Sequence, residues 1–313
     1  GNKNVTIDLN GYTITGNGYD GVVCATGTSQ IMIDGTKSGS GICAHEVSKY
    51  AMVVWASGNG SKVTINGGTY TQSITGTDTQ YDMIYAGTNG AAAAIEILDG
   101  TFTSATPKWT LNCKDNSGSR INVKGGTYTQ YDPSSSQTES PVANFVAEGY
   151  ISTKVGDNYV VAPLGATNAV ASVSDGSTTT YHKTLADAID KASTNATVTL
   201  LKDTVADVVI STDKTITLDL NGKTLTNKSD DTIINHGKIE IIDKKGNGVV
   251  DNITNAKAAI KNDGTVVLRG GTYTRSKETG KDANNGGGNS YYTILNDNGG
   301  SLTIYDGVTV YNK

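Results

Sequence analysis

Alternating apolar and polar positions recur along the chain within one short phrase. The phrase reads "SKVTINGGTYT" at 61–71, "AAIEILDGTFT" at 93–103, "SRINVKGGTYT" at 119–129 and "GTVVLRGGTYT" at 264–274. Successive side chains of a strand face opposite sides, so Val63 and Ile65 face one way and Thr64 and Asn66 the other. Each phrase therefore predicts two short strands that meet at glycine.

The central apolar residues of these phrases define a repeat. They are Ile7, Ile33, Ile65, Ile97 and Val123 in the first half, and Leu218, Ile241, Leu268 and Ile304 in the second. Their spacing of roughly 23 to 36 residues is typical of solenoids. Gly, Asn and Asp separate three short strands in each repeat. We therefore predict an all-β chain in which each repeat is one turn of a parallel β-helix.

One aromatic position returns in register after the glycines. Tyr70, Phe102, Tyr128 and Tyr273 each lie between two threonines. Because a recurring exposed Phe would be unusual, we predict that this position points inward, as a stacked row, with the threonines outside. The alternative is an exposed tyrosine strip that binds a ligand.

Asparagine also returns at one position, after the first apolar strand of a repeat. Asn112, Asn235, Asn262 and Asn296 hold it. Stacked asparagines can bond side chain to side chain along the stack, which predicts a structural ladder. The alternative is that each Asn caps its own turn.

A longer duplication divides the chain into two modules, 1–164 and 165–313. The segment "NVTIDLNGYTIT" at 4–15 returns as "TITLDLNGKTLT" at 215–226. A short helix is predicted at about 183–193, where Leu185, Ala188, Ile189 and Ala192 fall on one face. We expect this helix to cap the second module. The first module lacks such a helix and the second stops early, so we expect a longer native protein, a monomer within an array.

At this level the chain resembles the right-handed parallel β-helix superfamily, which includes pectate lyases and many bacterial surface proteins. The stretch 184–226 and the stretch "NFVAEGYISTKVGDNYVVAP" at 144–163 are similar to the entry and closing segments of repeated modules in adhesin-like surface proteins of Gram-positive commensals. The resemblance implies an extracellular stalk or adhesive surface attached to the cell, without a catalytic activity.

Composition excludes several other classes. The 313 residues carry a net charge of −5, which gives no electrostatic footprint for nucleic acid. The longest apolar runs are far too short to cross a membrane, so we expect no membrane insertion by this segment. Three cysteines, Cys24, Cys43 and Cys113, do not form a disulfide framework, and we expect buried packing roles for them. A Cys24–Cys43 bridge is the alternative.

A polysaccharide-active enzyme, a lyase or a glycoside hydrolase, is the alternative function. The three arginines Arg120, Arg269 and Arg275 are poor candidates for the base of a lyase, because no acidic cluster accompanies them in sequence. The segment "SDDTIINHG" offers Asp230, Asp231 and His236 for glycoside hydrolysis. The competing interpretation is a solvated turn followed by a buried strand.

The sequence contains only weak patterns for a metal site or for catalysis by histidine. "DKKGNGVVD" places Asp243, Asn247 and Asp251 at spacings like those of a calcium loop, but it lacks the terminal Glu. We expect turn chemistry there, and no metal or cofactor. The histidines His45, His182 and His236 lie in different repeats, without a nucleophile at suggestive spacing.

Surface composition indicates binding. Threonine pairs flank one residue that we expect to point inward, and they could form an ice-binding array, a second alternative function. The pairs are 13/15, 69/71, 101/103, 127/129, 224/226 and 272/274. Tyrosines predicted in loops are Tyr19, Tyr50, Tyr81, Tyr131, Tyr291 and Tyr292. The long loops at 72–82, 130–140 and 275–290 are candidate contact regions for a host glycan or host protein. The alternative is that they are disordered insertions. We name no catalytic, cofactor or metal residue from the sequence.

Overall fold

The computed structural model describes residues 2–16, 20–44, 51–74, 82–139, 141–278, 292–297 and 299–312. Among these residues there are 30 β-strands, one α-helix and one 3-10 turn. The fold is therefore all-β apart from a single short helix, and most strands pair in parallel. The chain divides into two compact units, Gly1–Pro163 and Leu164–Lys313.

The first unit contains fourteen of the described strands. They are β1 (Asn4–Asp8), β2 (Thr13–Gly16), β3 (Asp20–Ala25), β4 (Gln30–Gly35), β5 (Gly41–Ala44), β6 (Ala51–Ala56), β7 (Lys62–Gln72), β8 (Ile84–Ala86), β9 (Ala94–Ser104), β10 (Leu111–Cys113), β11 (Arg120–Val123), β12 (Gly126–Thr129), β13 (Tyr150–Val155) and β14 (Asn158–Pro163). The 3-10 turn at Pro107–Trp109 precedes β10.

Two sheets organise these strands. A ten-stranded sheet follows the order β1-β4-β7-β9-β12-β14-β13, with β2, β5 and β11 paired to it. A four-stranded parallel sheet follows the order β3-β6-β8-β10. Each strand pairs with the equivalent strand of the next repeat, so equivalent side chains lie next to one another.

The central apolar residues line up as the sequence predicts. Ile7 pairs with Ile33, Ile33 with Ile65, Ile65 with Ile97, and Ile97 with Val123. All but Ile7 are fully buried in one hydrophobic core. The predicted parallel register of the first half is thereby confirmed.

The aromatic row is confirmed as part of this core. The rings of Tyr70 and Phe102 stack at 5.1 Å between centroids, and those of Phe102 and Tyr128 at 4.8 Å. Burial of a tyrosine requires a partner for its hydroxyl. Tyr70 Oη donates to the carbonyl of Gly67, and Tyr128 Oη to that of Gly125, both at 3.0 Å.

The second glycine of the phrase is required by the backbone and by crowding. Gly68 has φ +95° and Gly126 has φ +104°, in the region that side chains with a Cβ disfavour. A Cβ on Gly126 would lie 2.8 Å from the carbonyl oxygen of Gly100 in the preceding repeat. The phrase therefore keeps this glycine because the backbones of neighbouring repeats approach closely there.

An antiparallel hairpin closes the first unit. Strand β14 pairs antiparallel with β12 on one side and with β13 on the other. Val161 of this hairpin and Phe145 and Val146 before it join the core. The segment 144–163 therefore covers the last parallel strand, which leaves that strand without a free edge.

The second unit contains the remaining strands and the helix. They are β15 (Ala171–Ser174), β16 (Thr179–His182), α1 (Leu185–Lys191), β17 (Thr197–Leu200), β18 (Thr204–Val205), β19 (Val208–Ile210), β20 (Thr215–Asp219), β21 (Thr224–Thr226), β22 (Ile233–Asn235), β23 (Lys238–Ile242), β24 (Val249–Asp251), β25 (Ile260–Asn262), β26 (Thr265–Leu268), β27 (Thr272–Thr274), β28 (Ile294–Asn296), β29 (Ser301–Ile304) and β30 (Thr309–Val310).

Three sheets share these strands in regular alternation. Their orders are β16-β15-β17-β20-β23-β26-β29, β18-β21-β24-β27-β30 and β19-β22-β25-β28. Every third strand thus joins the same sheet, in parallel from β17 onward. Leu218 pairs with Ile241, Ile241 with Leu268, and Leu268 with Ile304, which confirms the predicted column of the second half.

The asparagine ladder is confirmed in the second unit. Asn235 Nδ2 donates to Asn262 Oδ1 at 2.7 Å, and Asn262 Nδ2 donates to Asn296 Oδ1 at 2.6 Å. The prediction is wrong for Asn112, which belongs to the first unit. Its amide donates instead to Asp82 Oδ1 at 2.9 Å, because the equivalent strands of that unit hold Trp55 and Tyr85 rather than Asn.

A hairpin and the helix cover the first parallel strand of the second unit. Strand β15 pairs antiparallel with both β16 and β17. Leu185, Ala188 and Ile189 of α1 are buried in the same core as β17 and β19. The helix lies within the predicted range and buries the predicted face. Thr184 is its N-cap, with its side chain accepting from the Asp187 amide.

Three further predictions are corrected. Thr274, the last residue of β27, is buried rather than outside, and the next residue, Arg275, is buried as well. Tyr131 is not a surface residue: it is 4% exposed and its ring packs at 6.3 Å against Tyr128. No disulfide joins the three cysteines, so the Cys24–Cys43 bridge does not form. Cys113 is buried as predicted, whereas Cys24 and Cys43 are partly exposed.

Candidate functional site

A groove lies on the outer face of the four-stranded sheet of the first unit. Strands β6, β8 and β10 hold Trp55, Tyr85 and Asn112 at paired positions. The residues before and after them, such as Val54 and Ala56, point into the core, so alternation turns these three outward. One polar and two aromatic side chains therefore form a continuous row across three repeats.

The groove encloses about 460 Å³, a volume in the range of small-molecule sites. Trp109, brought beside the row by the 3-10 turn, adds a third aromatic ring. Both tryptophans of the chain thus line one cavity. The lining residues are Met52, Trp55, Asp82, Tyr85, Gly87, Thr88, Asn89, Trp109, Asn112, Cys113, Lys114, Asp115 and Thr138.

Hydrogen bonds fix the side chains of this groove. Trp55 Nε1 donates to the carbonyl of Gly87 at 3.1 Å. Asn112 Nδ2 donates to Asp82 Oδ1 at 2.9 Å, and the Asp82 carbonyl accepts from Gln72 Nε2 at 3.0 Å. These contacts join successive repeats, so the surface is held in place before any ligand arrives.

Carboxylates dominate the electrostatics of the groove. Burial raises the pKa of Tyr85, and the negative charges of Asp82 and Asp115 raise it further. Cys113 and Glu139 act in the same direction, so the phenol of Tyr85 keeps its proton. Burial raises the pKa of Glu139, whose Oε1 accepts from the Cys113 amide at 2.9 Å. Among the lining residues, Lys114 is the one cationic side chain.

Cys113 is not an activated nucleophile. Burial is the main reason why the pKa of its thiol is raised to about 12, and the charge of Glu139 raises it further. A reactive cysteine needs the opposite environment, with a lowered pKa. Cys113 is therefore a packing residue at the floor of the groove, as predicted.

The side chains of the residues proposed for glycoside hydrolysis each bond to other partners, although the Asp231 amide also donates to Asp230 Oδ1 at 2.8 Å. Asp230 forms an ion pair with Lys257 at 2.6 Å, and the Lys257 contact lowers the pKa of Asp230. Asp231 Oδ1 accepts from the Ala258 amide at 2.6 Å. His236 Nδ1 contacts Asp263 at 2.8 Å in the next repeat. These partners connect repeats, which is a structural use of all three residues.

The calcium-like loop is held by its own backbone bonds. Asp243 Oδ1 accepts from the Gly222 amide at 2.7 Å and Oδ2 from the Gly248 amide at 2.6 Å. Asp251 accepts from the amide and hydroxyl of Ser276, and Asn247 has φ +66° in the turn. Within the described ranges, no three His, Cys, Asp or Glu side chains converge in a group that could hold a metal ion.

The arginines and histidines occupy structural positions. Arg269 pairs with Glu240 and lies 3.9 Å from the ring centroid of Tyr305. Arg275, fully buried, pairs with Glu278. Arg120 is exposed in β11, and buried His182 contacts Asp187 at 2.7 Å beside the helix. His45 lies outside the described residues.

The threonine rows exist in the first unit, as predicted. Thr69 pairs with Thr101 and Thr101 with Thr127, while the hydroxyls of Thr103 and Thr129 lie 3.1 Å apart. The rows are short, because Gly41 and Cys43 hold these positions in the preceding repeat. A flat, extended threonine array is therefore not formed by these strands.

Few of the predicted contact loops fall within the described part of the chain. Tyr19, Tyr50, Tyr81 and Tyr291 lie outside the described residues, as do most of the loops at 72–82 and 275–290. Tyr292 is 57% exposed. The loop at 130–140 is described up to 139, and its Thr138 lines the groove.

The sequence carries one signal for the groove, at the same position of three successive repeats. The phrases "VVWASGNG", "MIYAGTNG" and "TLNCKDNSG" place Trp55, Tyr85 and Asn112 at the same position, directly before a small residue. A large aromatic at the outward position of the first strand, in successive repeats, indicates a binding face. Asp82, Asp115 and Trp109 gave no such signal, since turns bring them to the row.

Comparison of the chain with protein-family models, curated proteins and solved structures finds no match. Among the described residues, the single helix is too short and too polar to cross a membrane. Function must therefore be argued from the geometry of the groove.

Proposed function

We propose that the chain is a non-enzymatic, adhesin-like segment of a bacterial cell-surface protein, and that the groove binds a glycan. Three aromatic rings beside hydrogen-bonding side chains carry this proposal. A sugar ring has an apolar face that packs on an aromatic ring, and hydroxyl groups that need polar partners around its edge. The aromatic rings are those of Trp55, Tyr85 and Trp109. The polar partners for the hydroxyl groups are Asn112 and Asp115.

The fold we propose for each unit is a right-handed parallel β-helix. Its support is the parallel pairing of strands with their equivalents in the next repeat, outside the antiparallel strands β13–β16, and the columns of like side chains that follow. Right-handed connection is the rule for parallel strands of one sheet. Such a segment serves as a rigid spacer, because the backbone of each repeat is bonded by its neighbours.

A surface role is argued from shape and chemistry together. A rigid spacer with a preformed sugar groove suits an extracellular protein that contacts host material. Antibody labelling of intact cells of the encoding organism, compared with permeabilised cells, tests the location. Labelling that requires permeabilisation would contradict it.

Glycan binding is tested with the whole chain on a glycan array, followed by titration calorimetry with the best ligands. We expect Trp55→Ala to weaken binding by at least about tenfold, because a buried aromatic contact typically contributes 1–3 kcal/mol. Tyr12→Ala is the matched control, since Tyr12 is 74% exposed in the same unit and lies outside the groove. Equal loss in both variants, or no glycan bound, would refute the proposal.

An enzyme that cleaves a polysaccharide is the second candidate. The observation that favours it is the raised pKa of Glu139 beside Asp115, since a glycosidase needs one carboxyl group protonated. Release of reducing ends from the glycan that binds, and its loss in Glu139→Gln, would establish this alternative. Intact glycan after prolonged incubation is what we expect.

A further inference from the structure

The groove has hydrogen-bond acceptors that a ligand can use. The indole N–H of Trp55 and the amide of Asn112 already donate to protein oxygens, which leaves side-chain donors such as Tyr85, Lys114 and Asn89 in the lining. Asn112 Oδ1 has no partner among the described residues, and the carboxylate of Asp115 is exposed. A carboxylate can only accept hydrogen bonds. A ligand that donates to Asp115 is therefore complementary to this part of the groove.

The charged residues around the row of Trp55, Tyr85 and Asn112 also favour a ligand that carries donors or positive charge. Asp82 and Asp115 line the groove, and Glu139 lies close enough to act on Tyr85. The cations near them are Lys114 in the lining and Lys108, whose Nζ lies 4.8 Å from the ring centroid of Trp109. An acidic sugar would meet like charges, which is a strong means of excluding a ligand. Polyuronides and sialylated glycans are therefore poor ligands for this groove.

The aromatic rings complete a site for a cation. An ammonium group is attracted to the face of an aromatic ring, most strongly to tryptophan. Trp55 and Tyr85 are both half-buried and hold adjacent positions on β6 and β8. A positive group placed over this row would also lie beside the carboxylates. Few other arrangements satisfy the rings and the acids together.

We propose that the groove recognises an amino sugar, a glycan that carries a free, protonated amine. This inference rests on the proposed function, because it names the glycan class. The sugar rings would pack on Trp55 and Tyr85, and the ammonium group would lie between this aromatic row and Asp115. Neutral sugars with the same linkage bind less tightly, and acidic ones do not bind.

Calorimetry with four tetrasaccharides tests this inference on the whole chain. The probes are β-1,4-linked glucosamine, its N-acetylated counterpart, β-1,4-linked glucose, and α-1,4-linked galacturonate. At mildly acidic pH we expect the glucosamine probe to bind about tenfold tighter than the glucose probe, from one charge-assisted contact. The preference is expected to shrink when the pH is raised until the ligand amine is neutral, and when salt is added.

Asp115→Asn is the decisive variant, because Asp115 is exposed and its replacement leaves the core intact. We expect it to reduce the preference for glucosamine over glucose about fivefold, with the glucose affinity nearly unchanged. Asp157→Asn is the matched control, an exposed carboxylate in the β13–β14 turn of the same unit. Thermal unfolding of each variant checks that the fold is kept.

The outcomes separate the two proposals. Equal affinity for the glucosamine and glucose probes, or tighter binding of the N-acetylated or acidic probe, overturns the amino-sugar inference and leaves glycan binding intact. Failure of all four probes, together with a blank glycan array, overturns both. A glucosamine preference that survives Asp115→Asn also refutes the placement of the amine.

Discussion

At the scale of single residues, asparagine has different roles in the two units. In the second unit Asn235, Asn262 and Asn296 occupy one aligned position, and their amides bond to one another in series. In the first unit Asn112 lies in register with Tyr85 and Trp55, and all three line the groove. The role of an asparagine therefore depends on whether its paired positions also hold asparagine.

Replacement of Asn262 by Ala tests the ladder. The change removes the middle amide and leaves Asn235 and Asn296 without their partner, so we expect the free energy of unfolding of the second unit to fall by about 2–4 kcal/mol. Denaturant unfolding measures this. Asn112→Ala, a buried Asn with one side-chain bond, should cost about 1 kcal/mol in the first unit. A smaller loss for Asn262→Ala than for Asn112→Ala would contradict the ladder.

Glu96 gives a prediction for pH. It pairs with Lys124 at 2.6 Å and Lys62 at 2.5 Å, and the Lys124 contact is the first cause that lowers its pKa from 4.5. A lowered carboxyl pKa stabilises the fold above the unfolded value, and this stability is lost as the pH falls through the folded value. We expect Glu96→Gln to cost about 1 kcal/mol at neutral pH, and we expect this cost to disappear in acid, once Glu96 is protonated in the folded protein.

The measurement for Glu96 is denaturant unfolding of both proteins across that pH range. Glu148→Gln is the control, an exposed carboxylate without an ion pair among the described residues. A destabilisation by Glu96→Gln that is independent of pH would count against the ion-pair explanation.

At the scale of elements, each unit protects an end of its parallel stack with antiparallel strands. The β13–β14 hairpin closes the first unit, while β15, β16 and α1 cover the first parallel strand of the second. Because these added strands run antiparallel to the parallel strands, they interrupt the repeated parallel pairing and end the stack on that side. The helix then buries the apolar side chains that would otherwise face water.

Thr184→Ala tests the helical cover. The Thr184 hydroxyl accepts from the Asp187 amide at 3.1 Å, and loss of an N-cap typically costs about 1 kcal/mol. We expect a lower unfolding free energy for the second unit, read from denaturant unfolding. Thr212→Ala, in an exposed turn without a side-chain bond among the described residues, should change it by less than about 0.5 kcal/mol. Equal effects of the two changes would argue against the cap.

At the scale of the whole molecule, we expect the local stability of a strand to depend on how many strands pair with it. Strand β17 pairs on both edges, with β15 and β20. Strand β29 pairs with β26 and with no other strand among the described residues, and Ile304 on it is 50% exposed. Repeats that interact only with their neighbours lose structure first where a neighbour is lacking.

Native-state hydrogen exchange measures this gradient. We expect the amides of β17 to exchange at least about 100-fold more slowly than those of β29, although both hold alternating apolar side chains of similar size. In the first unit, β7 should likewise exchange more slowly than β1, which is paired with β4 alone in the described part. Uniform protection along each unit would be inconsistent with neighbour-by-neighbour stability.

Much of the fold was determined by the sequence alone, because it depends on local rules that repeat. Alternation fixed which side of Val63 and Ile65 is buried, and the returning "GGTYT" placed Tyr70, Phe102 and Tyr128 in one stack. Helical periodicity placed α1 in the same way. Each of these signals lies within a few residues and is then multiplied by the repeat.

The groove was decided by the tertiary structure. Turns of unlike length bring Asp82, Trp109 and Asp115 to the aromatic row, and nothing in their local sequence indicates where those turns lead. Asn112 shows the limit most clearly, since its own sequence context matches the ladder asparagines while its neighbours in the sheet are Tyr85 and, beyond it, Trp55. A side chain acquires its role from the residues of adjacent repeats, and these are 20 to 40 residues away in the chain.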